Sequence, residues 1–238
     1  MQFLGEAEVS RGVVERRFDV QGADEVVPGL LWTPEGASGA RPLVLVGHGG
    51  TAHKRTPYVL SLARRLVRHQ GWAVAAIDGP GHGDRLGEAG TGSRRTFMTL
   101  VAAAAESMTA DWKATLAELR DLDEVGDGPL GYWGLSMGTM LGAPFVAATP
   151  EVRCAVLGLM GTLSEGDPWA IAAATIECPI LFLAQTDDEL VPIDRAMELF
   201  RSISASDKRF HAHPGLHSAV PGEEIEASET FLAQHLGD

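Results

Sequence analysis

GYWGLSMGTM, residues 131–140, contains Gly134-Leu135-Ser136-Met137-Gly138, a G-x-S-x-G pattern set between an apolar run and a segment of helical character. In a chain with 28 glycines the pattern alone is a weak signal. Its surroundings carry the meaning. Leu130 to Leu135 reads as a buried strand and Gly138 to Ala148 as a helix, which places Ser136 at the junction. A turn that tight needs almost no side chain two positions before and two positions after the serine, and Gly134 and Gly138 meet that need. The hydroxyl would then project from the carboxyl edge of a sheet, beside the N–H groups of a helix N-terminus that favours negative charge.

Working outward, Pro42 to Gly47, Ala73 to Asp78, Arg153 to Met160 and Pro179 to Ala184 are further strand-length apolar runs, and Lys208 to His213 reads as the last strand. Between them lie helical patterns at Pro57 to Gln70, Arg95 to Asp123 with a break near Ser107, Pro168 to Thr175, Ile193 to Ile203 and Glu223 to Leu236. Unbroken apolar strands alternating with amphipathic helices predict a parallel sheet covered on both faces. At the front, Gly12 to Val20 and Val26 to Thr33 flank a turn and read as a hairpin, although Pro28 and Gly29 interrupt the second run. The expected fold is a three-layer α/β/α sandwich around a mostly parallel eight-stranded sheet with an antiparallel N-terminal part. One domain over residues 1–238 is expected, since single cores stop growing near roughly 250 residues.

Composition narrows the function. The formal net charge of −13 repels a nucleic-acid backbone or an anionic membrane surface, and a small or neutral partner fits better. Arg64, Arg65, Arg68 and His69 form a local basic group that reads as a solvated helix face. The N-terminus turns acidic at once and no apolar run approaches the roughly 20 residues needed to span a bilayer, so a cytoplasmic protein is expected. Cys154 and Cys178 read as two buried thiols, though strands ending side by side would also allow a bridge; their spacing fits no common zinc motif.

A serine hydroxyl is a poor nucleophile unless a base takes its proton and another group orients that base. The loop after Pro179 to Ala184 offers Asp187, Asp188 and Glu189, and the loop after the last strand offers Pro214-Gly215-Leu216-His217. The chain order Ser, Asp, His suits a sheet whose catalytic loops follow successive strands. With Val46-Gly47-His48-Gly49-Gly50, Asp78-Gly79-Pro80-Gly81-His82-Gly83 and Asp188-Glu189-Leu190-Val191-Pro192, these motifs run from about residue 43 to 218. On them the chain resembles the α/β-hydrolase superfamily, and the short segment Gly161 to Cys178, where that family often inserts a lid, makes it resemble the compact carboxylesterases and the dienelactone-hydrolase-like group.

That resemblance implies Ser136 as nucleophile, His217 as general base and acid, and Asp188 as the orienting carboxylate, with Asp187 the competitor one position earlier. It implies an oxyanion hole from the N–H groups of Gly50 and Met137, with Thr51 in reserve. His48 and His82 would brace loops; the glycines near His82 lack nucleotide-loop spacing, and His211 and His213 read as ordinary strand residues rather than metal ligands. No cofactor and no metal are expected. The family often inserts a helical lid where this chain has only Gly161 to Cys178, which predicts an open cleft for short-acyl or small soluble esters. Met137, Met140, Trp169, His53 and Arg85 are candidate lining or rim residues, with core packing the alternative for the methionines. Thioesterase, amide or peptide hydrolase and acyl transferase remain alternatives on the same residues, and a non-catalytic binder is the alternative from another class. A serine nucleophile departs from dienelactone hydrolase in the narrow sense, where the family usually has cysteine.

Overall fold

The computed structural model describes residues 1–22, 24–86 and 100–237. Among the described residues, nine strands form one sheet: β1 (Gln2–Ser10), β2 (Val13–Gln21), β3 (Val26–Pro34), β4 (Leu43–Gly47), β5 (Ala73–Ile77), β6 (Leu130–Leu135), β7 (Val152–Gly158), β8 (Ile180–Gln185) and β9 (Lys208–His213). Their order is β1-β2-β3-β5-β4-β6-β7-β8-β9; β1, β2 and β3 run antiparallel to their neighbours, and pairing is parallel from β5 through β9.

The main helices among the described residues are α1 (Pro57–Gln70), α2 (Ala105–Arg120), α3 (Met137–Ala147), α4 (Pro168–Ala173), α5 (Ile193–Ser202) and α6 (Gly222–Leu236). Side chains alternate across each parallel strand, so Leu43, Leu45 and Tyr132 pack with α2, α3, α4 and α5, while Val44, Val46 and Trp133 pack with α1 and α6. Burial on both faces explains the unbroken apolar runs of β4, β5, β6 and β8. This is the α/β-hydrolase fold. Between β7 and β8 the described helix is the six-residue α4, and no lid domain is evident among the described residues.

The sheet has nine strands, not the expected eight. The extra one, β1, is exposed along nearly its whole length at the sheet edge, so neither face required an apolar stripe. Gly29 does not end β3, because it lies opposite Phe18, whose ring lies where a Cβ at Gly29 would sit. The break expected near Ser107 falls at Ala104, and residues 95–99 of that expected helix lie outside the described residues. Cys154 packs on the α1 and α6 side and Cys178 on the opposite side, so the two thiols are free and separated by the sheet. Burial pushes the Cys178 thiol up to about 11 and raises Cys154 as well.

Candidate active site

The strand order reverses between β4 and β6, and a crevice forms outside their carboxyl ends at such a switch point. Register places Gly47 of β4 beside Gly134 of β6, which brings the loop after β4 next to Ser136. Ser136 has φ 58° and ψ −120°, backbone values that cost about 1–3 kcal/mol at a non-glycine residue. Its N–H donates to Gly158 O at 2.8 Å, and the Thr139 hydroxyl accepts the Gly158 N–H at 2.8 Å beneath the turn. Both flanking glycines are sterically required: a Cβ at Gly134 would lie 2.7 Å from Gly138 O, and one at Gly138 would lie 2.6 Å from Gly47 O. Tyr132 is fully buried and donates its hydroxyl to Gly138 O at 2.8 Å, tying the helix start to the strand.

The loops after β8 and β9 meet over this turn. His217 Nε2 lies 2.9 Å from Ser136 Oγ, and His217 Nδ1 lies 2.7 Å from Asp188 Oδ2. Asp188 Oδ1 accepts the N–H groups of Leu190 and Val191, each at 2.8 Å, so backbone donors fix the carboxylate. The carboxylate can only accept, which puts the ring proton on Nδ1 and leaves Nε2 to accept from the serine. Asp188 and His217 are largely covered, with side chains 2% and 14% exposed. Asp187 turns elsewhere and accepts the Gly215 N–H at 3.0 Å, while Glu189 accepts the His217 N–H at 2.8 Å. A hydroxyl hydrogen-bonded to an imidazole that a carboxylate orients is an arrangement able to pass a proton away from an attacking oxygen.

On the other side of Ser136, the loops after β4 and β5 are bound to each other. His48 donates from Nδ1 to Gly49 O at 2.8 Å and accepts the Gly79 N–H at Nε2 at 2.9 Å. Burial lowers His48 to about 4, so its ring is neutral at ordinary pH. His82 places its ring nitrogens 2.9 Å from Pro80 O and 2.8 Å from Gly50 O. Asp78 is fully buried and accepts the Lys54 N–H, the Lys54 ammonium and the Asp84 N–H. Tyr58 accepts the Gly49 N–H at 2.7 Å. The peptide units on both sides of Gly50 therefore have their carbonyls anchored. Met137 opens α3, where the first N–H groups have no acceptor within the helix.

The remaining rim candidates divide. His53 is exposed beside the loop after β4. Arg85 is not at a free rim: its side chain is 3% exposed and binds Glu25, Asp111 and Asp78 O, which joins the front hairpin to α2. Met137, Met140 and Trp169 are each about 2% exposed and fill the core, and the Trp169 indole donates to Gly161 O at 3.0 Å. Sequence reasoning missed Tyr58, Lys54 and Glu189. Nothing marks Tyr58 or Lys54 in the sequence, whereas Glu189 lay within the group of three acids already noted. Arg64 and Arg65 are ion-paired with Glu15 and Glu229, and His69 Nδ1 lies 3.1 Å from Glu229, along a groove of about 550 Å³ on α1 that none of Ser136, Asp188 and His217 lines. Among the described residues, no cluster of His, Cys, Asp or Glu is arranged to hold a metal ion, and no helix is long and apolar enough to cross a membrane.

A model of the dienelactone hydrolase family matches residues 32–225. The chain belongs to this family. Among relatives of this dienelactone hydrolase family member, "Esterase YjfP" of Escherichia coli (strain K12) is 26% identical over 231 residues, covering 82% of this chain and 89% of that protein. The polyethylene-glycol-bound structure of a cold-adapted esterase from an Arctic intertidal metagenomic library is 38% identical. It covers 99% of this chain and 100% of that one, with a TM-score of 0.89. An acetyl xylan esterase from Paenibacillus sp. R4 is 18% identical with a TM-score of 0.77, a likeness of fold alone. As a dienelactone hydrolase family protein with esterase homologues, the chain is an enzyme, a hydrolase of the esterase type.

Proposed function

We propose that the protein cleaves carboxylic esters, short-acyl or small and soluble, through an acyl-enzyme on Ser136. The observation that carries this reading is the His217 ring held between Asp188 at 2.7 Å and Ser136 at 2.9 Å. His217 takes the Ser136 proton as Oγ bonds to the ester carbonyl carbon, and Asp188 stabilises the resulting imidazolium. The carbonyl oxygen becomes an oxyanion that receives hydrogen bonds from the Gly50 and Met137 N–H groups. Collapse breaks the bond to the alcohol oxygen, which leaves with the proton from His217. Water then attacks the acyl-enzyme with His217 again as base, and the acid departs as Ser136 regains its proton.

The anchoring of both carbonyls around Gly50 supports a preorganised donor there, since a donor already aimed costs no reorganisation during the reaction. The short connection between β7 and β8 supports an open cleft and hence small soluble substrates. His53 is the rim candidate that is exposed, and its Nδ1 accepts the Arg55 N–H at 3.2 Å. The whole chain acts as one domain in this reading, with the reaction needing no cofactor.

The test is hydrolysis of p-nitrophenyl esters from acetate to palmitate by the wild type and Ser136→Ala. Turnover of the short esters, lost by about 10⁴-fold or more in Ser136→Ala, is expected. A wild type inert on every ester that still reacts at Ser136 with a fluorophosphonate would overturn the ester assignment and bring thioester, amide or acyl-transfer chemistry forward. Folded protein that neither hydrolyses nor labels would favour a binder.

A further inference from the structure

Three consecutive carboxylates face the five-residue segment 213–217, and each takes a different point of it. Asp187 accepts the Gly215 N–H at 3.0 Å, Asp188 accepts from the His217 ring at 2.7 Å, and Glu189 accepts the His217 N–H at 2.8 Å. His217 is thus gripped twice from a single segment, at its ring and at its own backbone. Gly215, with φ at 146°, lets the loop turn back over β8 so that both contacts form. We infer that Glu189 is a positioning residue for His217, holding its main chain so that the ring swings about neither end while its proton moves between Ser136 and the leaving group. This rests on the serine-hydrolase reading above.

The physical reason lies in what Asp188 cannot do alone. A single hydrogen bond to Nδ1 fixes one atom of a ring on a flexible Cα–Cβ stem, and rotation about that contact moves Nε2 off Ser136. Reactivity falls steeply when a base is displaced by even an ångström. A second anchor at the His217 N–H removes the main-chain part of that freedom. Glu189 is exposed, so its carboxylate is not there to satisfy a buried donor, and the His217 N–H bond holds Glu189 below the usual carboxylate range. That shift has the direction expected when the ionised form is the one engaged.

The test uses phosphonylation of Ser136 by a fluorophosphonate probe, which needs no knowledge of the natural substrate. Glu189→Ala and Glu189→Gln are compared with wild type and Ser136→Ala, resolving the maximal labelling rate from the probe concentration at half-maximum, with thermal unfolding measured on each. Expected is a fall of about five- to tenfold in the maximal rate for Glu189→Ala, the scale of one lost hydrogen bond of ordinary net strength, as suits a contact at the surface. The half-saturating concentration and midpoint temperature stay unchanged, and Glu189→Gln, which keeps an acceptor oxygen, recovers most of the rate. An unchanged rate in Glu189→Ala, an equal loss in Glu189→Gln, or a loss that follows the unfolding temperature would overturn the inference. If Ser136→Ala labels as fast as wild type, the serine reading itself fails and takes this one with it; if it does not label while both Glu189 variants match wild type, only this one fails.

Discussion

The two loop pairs that flank Ser136 are held by opposite means. On the β4 and β5 side the innermost ties are buried: Asp78 has no exposed surface, Lys54 is 5% exposed and His48 is 2% exposed, while His82 is half-buried and Tyr58 exposed. On the β8 and β9 side the ties beyond Asp188 itself are carboxylates at the surface, Asp187 and Glu189, bound to backbone N–H groups. The difference follows the tasks proposed for the two sides. Oxyanion donors stabilise charge only if they do not move, which favours anchors that water cannot reach. The base must carry a proton between two partners, and exposed anchors permit the small adjustments this needs.

The largest expected effect tests which carboxylate belongs to which task. Asp188→Asn removes the ion that orients and stabilises the His217 ring, and should lower kcat on short p-nitrophenyl esters by about 10³- to 10⁴-fold. Asp187→Asn keeps an acceptor for the Gly215 N–H, and the loss should stay below about fivefold. Equal losses in the two variants would dissolve the distinction between the ring contact and the loop contacts.

A smaller effect, on stability, sharpens the contrast between buried and exposed ties. Lys54→Met leaves Asp78 charged, fully buried and without its ammonium partner, at a cost of about 3–5 kcal/mol in denaturant unfolding. Arg17→Ala removes a partner of Asp84 at 3.2 Å, but both side chains are more than half exposed and the cost should stay below about 1 kcal/mol. Comparable costs for the two would mean that burial is not what separates them.

The same contrast governs what the sequence could reveal. Strands β4 to β8 were legible because two covered faces leave no room for polar residues, and β1 was not, because a strand exposed on both faces carries no pattern. The proximity of Ser136, Asp188 and His217 was legible because each is tied to a neighbour with its own steric or turn requirement: Gly134 and Gly138, Val191 and Pro192, Gly215. Arg85 was misplaced because its partners, Glu25 and Asp111, come from distant segments, and local sequence holds no trace of them. Met140 and Trp169 lie on α3 and α4, which pack against each other, and both side chains are buried in the core between them. Glu189 was visible as an acid but its partner was a backbone N–H, which no residue type announces.

The buried side also predicts a pH response through His48. Burial holds His48 at about 4, whereas in the unfolded chain it takes a proton near its usual 6.5. Between these values the unfolded state binds more protons, so stability rises with pH; the contribution is complete above about 6.5 and is lost as pH falls toward 4. The shift corresponds to about 3 kcal/mol at pH 4. His48→Gln cannot titrate, so its unfolding free energy should fall by about 3 kcal/mol less than the wild type's between pH 7 and pH 4. Parallel pH profiles for the two proteins would mean that water reaches the imidazole, and that the β4 and β5 loops open around His48 far more readily than their hydrogen bonds imply. A divergence confined to that interval would place this acid sensitivity of the fold in the loop that carries His48 and Gly50.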